Sequence, residues 1–189
     1  MISVGGSARR SYLFPAPLDA AFRFHADLDA MLALLPHIDL VGAPSGDRRR
    51  LCYRATESGL YEVRIHCTIT AEVDAQRHRI VIRPVEEPAE ERSGFRSMTG
   101  RGRYTSTIAF HPEGRATRID YALTLDATLP TPTSLRLLPA SIVNARAGHR
   151  FSDRLEEILD GFVRGSIADY RRREQRNERI QRATDGSAG

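Results

Sequence analysis

The sequence contains no lysine, only two cysteines and none of the short motifs that mark a metal site or a catalytic nucleophile. All 28 basic residues are arginine, which we attribute to GC-rich coding. Cys52 and Cys67 do not form a CxxC pair, so we expect neither a disulfide framework nor a zinc site. The six histidines are scattered without an HExxH pattern, and neither a GxSxG turn nor a phosphate-binding glycine motif is present. We therefore expect no metal, no cofactor and no Ser-His-Asp hydrolase.

Long apolar runs are also missing. No stretch approaches the roughly 20 apolar residues that a membrane-spanning helix needs. The start, MISVGGSARR, lacks the apolar core of a secretory signal, so we predict a cytoplasmic protein. A chain of 189 residues suits one domain with a continuous core and room for an internal cavity.

The net charge of +4 comes from one segment near the C-terminus. Residues 171–182 include six arginines and two glutamates, which account for the whole excess. The rest of the chain is nearly neutral, so we do not expect nucleic acid as a partner. The arginines that could instead contact phosphates or an anionic membrane surface are Arg171, Arg172, Arg173 and Arg176.

Alternating apolar and polar residues predict an antiparallel sheet with one buried face. The clearest alternation is YEVRIHCTITAEVD at 61–74, in which His66 falls on the wet face and Cys67 on the buried face. Further strands are predicted at 8–14, 48–57, 78–85, 103–110 and 117–129, with a seventh inside 94–100. We interpret TGRGRY at 99–104 as a flexible entrance to a strand, because no helix follows it.

Helical patterns occur in two places. Residues 17–36 begin with proline at a first-turn position and end at Pro36, and the region around His25 and Asp27 divides them into two short helices. A second helix from about 139 to 182 would be roughly 60 Å long. Its apolar stripe ends at Tyr170, so we predict a domain at 1–170 and a basic helical extension with a disordered tail at 171–189. We expect Gly161 and Gly165 to permit close packing of this helix or to leave room for a ligand.

The order of these elements resembles the START-like helix-grip superfamily, which includes polyketide cyclases, coenzyme Q-binding proteins and birch-pollen-allergen-like proteins. The likeness is carried by YLFPAPLDAAFRFHADLDAMLALLPHI, where a strand enters the helices, and by RLEEILDGFVRGSIADY in the closing helix. Within the superfamily, the Pro-Ala-Ser-Ile-Val helix start and the Asp169-Tyr170 ending resemble an uncharacterised bacterial subgroup. The resemblance implies an α+β fold, with a curved antiparallel sheet of six or seven strands wrapped on the long C-terminal helix.

The resemblance also implies a cavity between sheet and helix for a hydrophobic small molecule such as a lipid, an isoprenoid or a quinone. Tyrosines on the predicted inner face suit this use, because apolar walls and a few hydroxyls are typical of ligand pockets. We predict non-catalytic binding, and delivery would require movement of the long helix or of an 84–102 loop. The predicted lining is Tyr53, Cys67, Tyr104, Tyr121, Met31, Leu35, Leu155 and Phe162.

Two other functions remain open from the sequence. A cyclase-type enzyme would need a buried acid or base, and the predicted inner faces carry tyrosines but no histidine, glutamate or aspartate. An interaction module would use the arginines after Tyr170 on nucleic acid or on an anionic membrane. The sequence does not indicate an oligomeric state.

Overall fold

The computed structural model describes residues 1–43, 46–57, 61–87, 91–135 and 140–185. The strands are β1 (Ile2–Phe14), β2 (Ile38–Leu40), β3 (Arg48–Glu57), β4 (Tyr61–Asp74), β5 (Arg79–Val85), β6 (Arg92–Ser93), β7 (Ser97–Glu113) and β8 (Ala116–Leu129). The helices are α1 (Leu18–Ala26), α2 (Leu28–Leu32) and α3 (Ala140–Asp185), and a short 3-10 turn spans Thr133–Leu135. This element order confirms the predicted α+β class and the helix-grip fold.

The strands form one curled sheet in the order β1-β8-β7-β5-β4-β3-β2, and the two-residue β6 adds to β7. Seven strands thus follow one another across the sheet, the upper of the two predicted counts. The sheet is antiparallel except where β4 and β7 run side by side in parallel over Glu62–His66 and Ser97–Arg101. The first strand, β1, lies at one edge of the sheet and pairs with the last strand, β8, along its whole length, from Ile2↔Leu129 to Phe14↔Thr117.

Alternating burial confirms the predicted inner and outer faces along most of each strand, but Val73 at the end of β4, predicted on the buried face, is exposed. In β4, Val63, Ile65, Cys67 and Ile69 are buried while Arg64 is exposed. In β8 the apolar residues predicted for one face are all buried, namely Ile119, Tyr121, Leu123, Leu125, Ala127 and Leu129. Because side chains alternate strictly along a strand, each of these strands contributes one face to a single core beneath α3.

Two predictions about the middle of the chain are wrong. The segment TGRGRY does not form a flexible entrance, because the residues around it belong to one unbroken strand, β7. The supposed loop at 84–102 contains β6 and the start of β7, and only its residues 88–90 lie outside the described part. The long β7 remains regular because it pairs with β8 continuously from Arg101↔Thr128 to Glu113↔Ala116.

The two short helices after β1 are confirmed, and Asp27 separates them. Its backbone is not helical, and its side-chain Oδ1 accepts a hydrogen bond of 3.3 Å from the backbone N–H of Ala30 at the start of α2. An aspartate in this position satisfies an amide that would otherwise lack a partner in the first turn of the helix.

Helix α3 lies against the inner face of the sheet and is tied to β1. Its residues Leu155, Ile158, Leu159 and Phe162 are buried. Arg10 of β1 reaches it with Nε 2.6 Å from Asp160 and Nη1 2.5 Å from Glu156. Beyond Tyr170 the side chains of 171–182 are exposed, and the predicted tail at 186–189 lies outside the described residues.

Close packing explains Gly161 in this helix. A β-carbon there would collide with the ring of Pro36, whereas one at Gly165 would only touch the backbone oxygen of Leu34 at 3.8 Å. No helix in the described part of the chain is both long and apolar enough to cross a membrane.

Candidate ligand-binding site between the sheet and the long helix

All eight residues predicted to line a ligand site lie in one buried cluster. None exposes more than 5% of its surface. Different elements supply them, with Met31 from α2 and Leu35 just after it, then Tyr53 from β3, Cys67 from β4, Tyr104 from β7, Tyr121 from β8, and Leu155 and Phe162 from α3. The fold therefore brings together residues that are far apart in sequence, and their role in ligand binding stays a prediction.

Two tyrosines on neighbouring strands form the polar centre of this cluster. The hydroxyls of Tyr104 and Tyr121 are 2.8 Å apart, and the ring of Phe162 packs edge-on against Tyr121 at a centroid distance of 4.9 Å. Burial raises the pKa of both phenols, and for Tyr121 the neighbouring Tyr104 raises it further. Both hydroxyls therefore stay protonated at neutral pH and act as hydrogen-bond donors or acceptors.

Ser106 completes a group of three hydroxyls. It follows Tyr104 by two residues on β7, so its side chain points to the same face, and it lowers the pKa of both phenols. Its Oγ is fully buried and makes no hydrogen bond of ordinary geometry with any described residue. The polar centre thus has hydrogen-bonding capacity that the described side chains do not use.

Cys67 and Tyr53 form another wall of the cluster. Burial raises the pKa of the Cys67 thiol to about 12, so it is a packing residue rather than a nucleophile. Gly102 of β7 lies against it, because a β-carbon at this position would be 2.8 Å from Cys67 Sγ and 2.6 Å from Ile65 Cγ2. The ring of Tyr53 faces Phe151 of α3 edge-on at 6.3 Å.

The interior also contains a histidine that the sequence analysis missed. His25 of α1 has no exposed surface, although we expected no histidine on the inner faces. Its Nδ1 is 2.8 Å from the carbonyl oxygen of Ala21, to which it donates, and its Nε2 is 3.4 Å from the hydroxyl of Tyr12. Its position in α1 was a usable signal, since Ala21, Phe22 and His25 share one helix face and are all buried.

Aromatic rings enclose His25 and suppress its charge. The rings of Phe14, Phe24, Phe110 and Phe162 lie 4.9 to 6.0 Å from the imidazole. Desolvation lowers the pKa of His25 to about 4, against the opposing effect of its backbone hydrogen bond. The imidazole is therefore neutral near pH 7. Phe162 contacts both His25 and Tyr121, so one ring adjoins both polar groups of the interior.

The four arginines predicted to contact anions fall into two pairs. Arg172 and Arg173 both bind Asp169, at 3.1 and 2.8 Å, and Arg173 also lies over the ring of Phe24 at 5.1 Å. Arg171 and Arg176 are exposed and make no ion pair with any described residue. Anion contact stays a prediction, and it concerns mainly these last two side chains.

A metal ion has no site in the described ranges, because no three histidine, cysteine, aspartate or glutamate side chains come close enough together to hold one.

Comparison with known proteins shows the family and the fold. Residues 6–164 match the family model described as polyketide cyclase / dehydrase and lipid transport. The structure is similar to the Zhui aromatase/cyclase from Streptomyces sp. R1128, with a TM-score of 0.56, 14% identity and coverage of 89% of this chain and 95% of that one. It is also similar to the protein TTHA0849 from Thermus thermophilus, with a TM-score of 0.51, 24% identity and coverage of 86% and 98%. A search of curated proteins finds no match.

Proposed function

We propose that this chain, which belongs to the polyketide cyclase / dehydrase and lipid transport family, binds an apolar or amphipathic small molecule between its sheet and α3. The observation that carries the proposal is the buried group of three hydroxyls on Tyr104, Tyr121 and Ser106, which lie close enough to affect one another's pKa values. A few convergent polar groups within apolar walls are typical of small-molecule sites.

The chemistry of the walls favours a lipid, isoprenoid or quinone-like ligand. Met31, Leu35, Leu155 and Phe162 are buried and apolar, so a ligand tail would gain about 25 cal/mol for each Å2 of apolar surface removed from water. Neutral phenols can bind a carbonyl, a hydroxyl or an ether oxygen at the other end. Residues 1–170 would form the binding domain, because all of the predicted lining lies within them.

Native mass spectrometry of the purified chain, followed by solvent extraction, is the first test. We expect a bound small molecule in stoichiometric amount, and its mass identifies the ligand class. If the chain carries no such molecule and none of a panel of lipids and quinones raises its melting temperature, the binding function is refuted.

Matched tyrosine variants then locate the site with a panel ligand that binds. Tyr121→Phe removes one hydroxyl of the buried pair, so affinity for a ligand with a polar end should fall about threefold to tenfold. Tyr61→Phe is the control. Tyr61 lies on the same sheet, but its hydroxyl is 3.3 Å from Ser134 Oγ and is not part of the buried pair. Equal affinity in wild type and Tyr121→Phe would remove the tyrosine pair from the site.

Cyclase-type catalysis is the second candidate, and the same tyrosine pair is the observation that favours it. Two protonated phenols in a water-poor interior could donate hydrogen bonds to an oxyanion that develops on a polyketone substrate. Proton transfer is less well supported, since the raised pKa of both tyrosines and the pKa of about 4 at His25 suit neither acid nor base near pH 7. Incubation with a linear β-polyketone and analysis for cyclised product tests it, and a product yield equal to that in buffer would refute it.

A further inference from the structure

The parallel pairing of β4 with β7 ends in a fork. The two strands are adjacent up to the pair His66↔Arg101, and beyond it they diverge to admit β5. β5 pairs with β4 from Val85↔Thr68 onward, but it reaches β7 only at Ile82↔Ser106. Residues 102–105 of β7 therefore have no paired strand on that side, and the backbone of Gly102 instead hydrogen-bonds the side chain of Cys67.

A cleft of about 460 Å3 lies at this fork, lined by charged residues of the outer face and also by the inward-facing Leu51, Cys67 and Gly102. The outer face is identified by Arg64 and Arg101, which alternate with the inward-facing residues Ile65 and Gly102. Five arginines and two glutamates line the cleft, and Glu62 outside the lining pairs with Arg64, so the excess of positive charge rests mainly on Arg101. The charged lining is Arg50, Arg64, Arg92, Arg101, Arg103, Glu86 and Glu87.

Arg101 is the arginine whose charge is not compensated. Arg50 lies 3.4 Å from Glu87, and Arg103 lies 3.2 Å from Glu86. Arg101 is exposed and makes no ion pair or hydrogen bond with any residue in the described ranges. Arg101 and Arg103 also line a second, adjoining cleft of about 470 Å3, so both arginines lie between the two clefts.

His66 also lines the cleft. It is half-buried beside Arg101, and its pKa is lowered by burial and by the charges of Arg54 and Arg64. Its neighbours across the sheet are Cys52 on β3 and Arg101 on β7, so no carboxylate faces it from either paired strand. An anion at the fork would oppose the effect of the arginines and raise the pKa of His66.

We propose that the fork cleft binds the phosphate group of a soluble phosphorylated small molecule. Guanidinium groups bind phosphate oxygens through two parallel hydrogen bonds. A concave cleft fits a compact anion better than the flat surface of a bilayer. This site goes beyond the proposed interior site, because its charged lining lies on the outer face, although Cys67 borders both.

Titration of the folded chain with inorganic pyrophosphate tests the proposal, with chloride used to hold the ionic strength constant. The imidazole signals of His66, assigned by their loss in His66→Gln, should shift saturably, and the pKa of His66 should rise. Arg101→Gln should weaken pyrophosphate binding about tenfold or more, since it removes one charge-assisted contact. Arg9→Gln is the matched control, because Arg9 is an exposed arginine on β1 outside the cleft. It should leave the affinity unchanged.

Three results would overturn the proposal. One is the absence of a saturable shift in the wild type, and another is equal weakening in Arg9→Gln and Arg101→Gln, which would indicate unspecific charge attraction. The third is binding to vesicles that contain phosphatidylglycerol, but not to pyrophosphate. A lipid headgroup would then be the ligand, and the exposed arginines of α3 would be the better site. Circular dichroism of each variant confirms that the fold is intact.

Discussion

Acidification from pH 7 to pH 5 should destabilise the fold through His25. Its pKa is about 4 in the folded chain, whereas an unfolded histidine has a pKa of about 6.5. Between these two values the unfolded state binds more protons than the folded state. The free energy of unfolding therefore falls as the pH falls through this window, and it is highest above about pH 6.5.

The magnitude follows from the two pKa values. For one group with these values, linkage gives a loss of about 2 kcal/mol between pH 7 and pH 5, rising to about 3 kcal/mol at pH 4. For a chain of this size, a loss of 2 kcal/mol lowers the melting temperature by about 4–8 °C. The effect is large because desolvation is its main cause, and the four surrounding phenylalanine rings offer no negative charge to an imidazolium.

Urea unfolding at pH 7, 6 and 5 measures this loss. The three carboxylates with lowered pKa values, Asp74, Glu87 and Asp160, lose their stabilising contribution mainly below pH 5. His66 also has a lowered pKa, but it is partly exposed, so His66→Gln should remove only a small part of the pH dependence.

Two variants at position 25 isolate the histidine. His25→Asn keeps a donor near the Ala21 carbonyl, and His25→Phe fills the space with a fifth ring. Either variant can be less stable than the wild type at pH 7, but its stability should be nearly independent of pH between 7 and 5. An unchanged pH slope in both variants, or a pKa of His25 near 6.5 measured by NMR, would refute the reasoning.

Two further predictions concern packing and thiol reactivity. Gly161→Ala should cost about 1–3 kcal/mol in urea unfolding, because its methyl group collides with a rigid proline ring. Gly165→Ala, one helical turn later, should stabilise by about 0.5–1 kcal/mol, since helix propensity improves without a clash. Equal effects of the two variants would contradict this account. In Cys52→Ser, the remaining Cys67 should not react with Ellman's reagent at pH 8 until urea unfolds the chain, because its pKa is about 12. Rapid labelling of the folded variant would show that the thiol is accessible.

Local patterns in the sequence predicted most of the elements and their faces, although they did not indicate β2 (Ile38–Leu40). The alternation in 61–74 predicted which side chains of β4 are buried, and the burial of Val63, Ile65, Cys67 and Ile69 confirms it. Strict alternation is a property of the extended backbone, so it needs no knowledge of the partner strands. The sequence also predicted the division of the first helical segment near Asp27, because the start of a helix depends on a few adjacent residues.

The sequence did not predict that β7 is one continuous strand. The two glycines in TGRGRY indicated flexibility, yet both lie within β7. Gly102 is needed there because Ile65 and Cys67 approach its α-carbon, and that approach depends on the register between β4 and β7. Local preference for a turn is overridden when a strand gains pairing along its whole length.

The sequence by itself determined the buried face of the main strands and the point where the long helix changes from apolar to basic. Periodicity and charge set these features, and both are local properties of the chain. The helix-grip class was inferred from the resemblance of the element order to a known superfamily. Only the tertiary structure decided which side chains meet. The contact between the hydroxyls of Tyr104 and Tyr121, the burial of His25 among four rings and the cleft where β4 and β7 diverge all depend on strand order and register. Such contacts join residues far apart along the chain, so no local pattern records them.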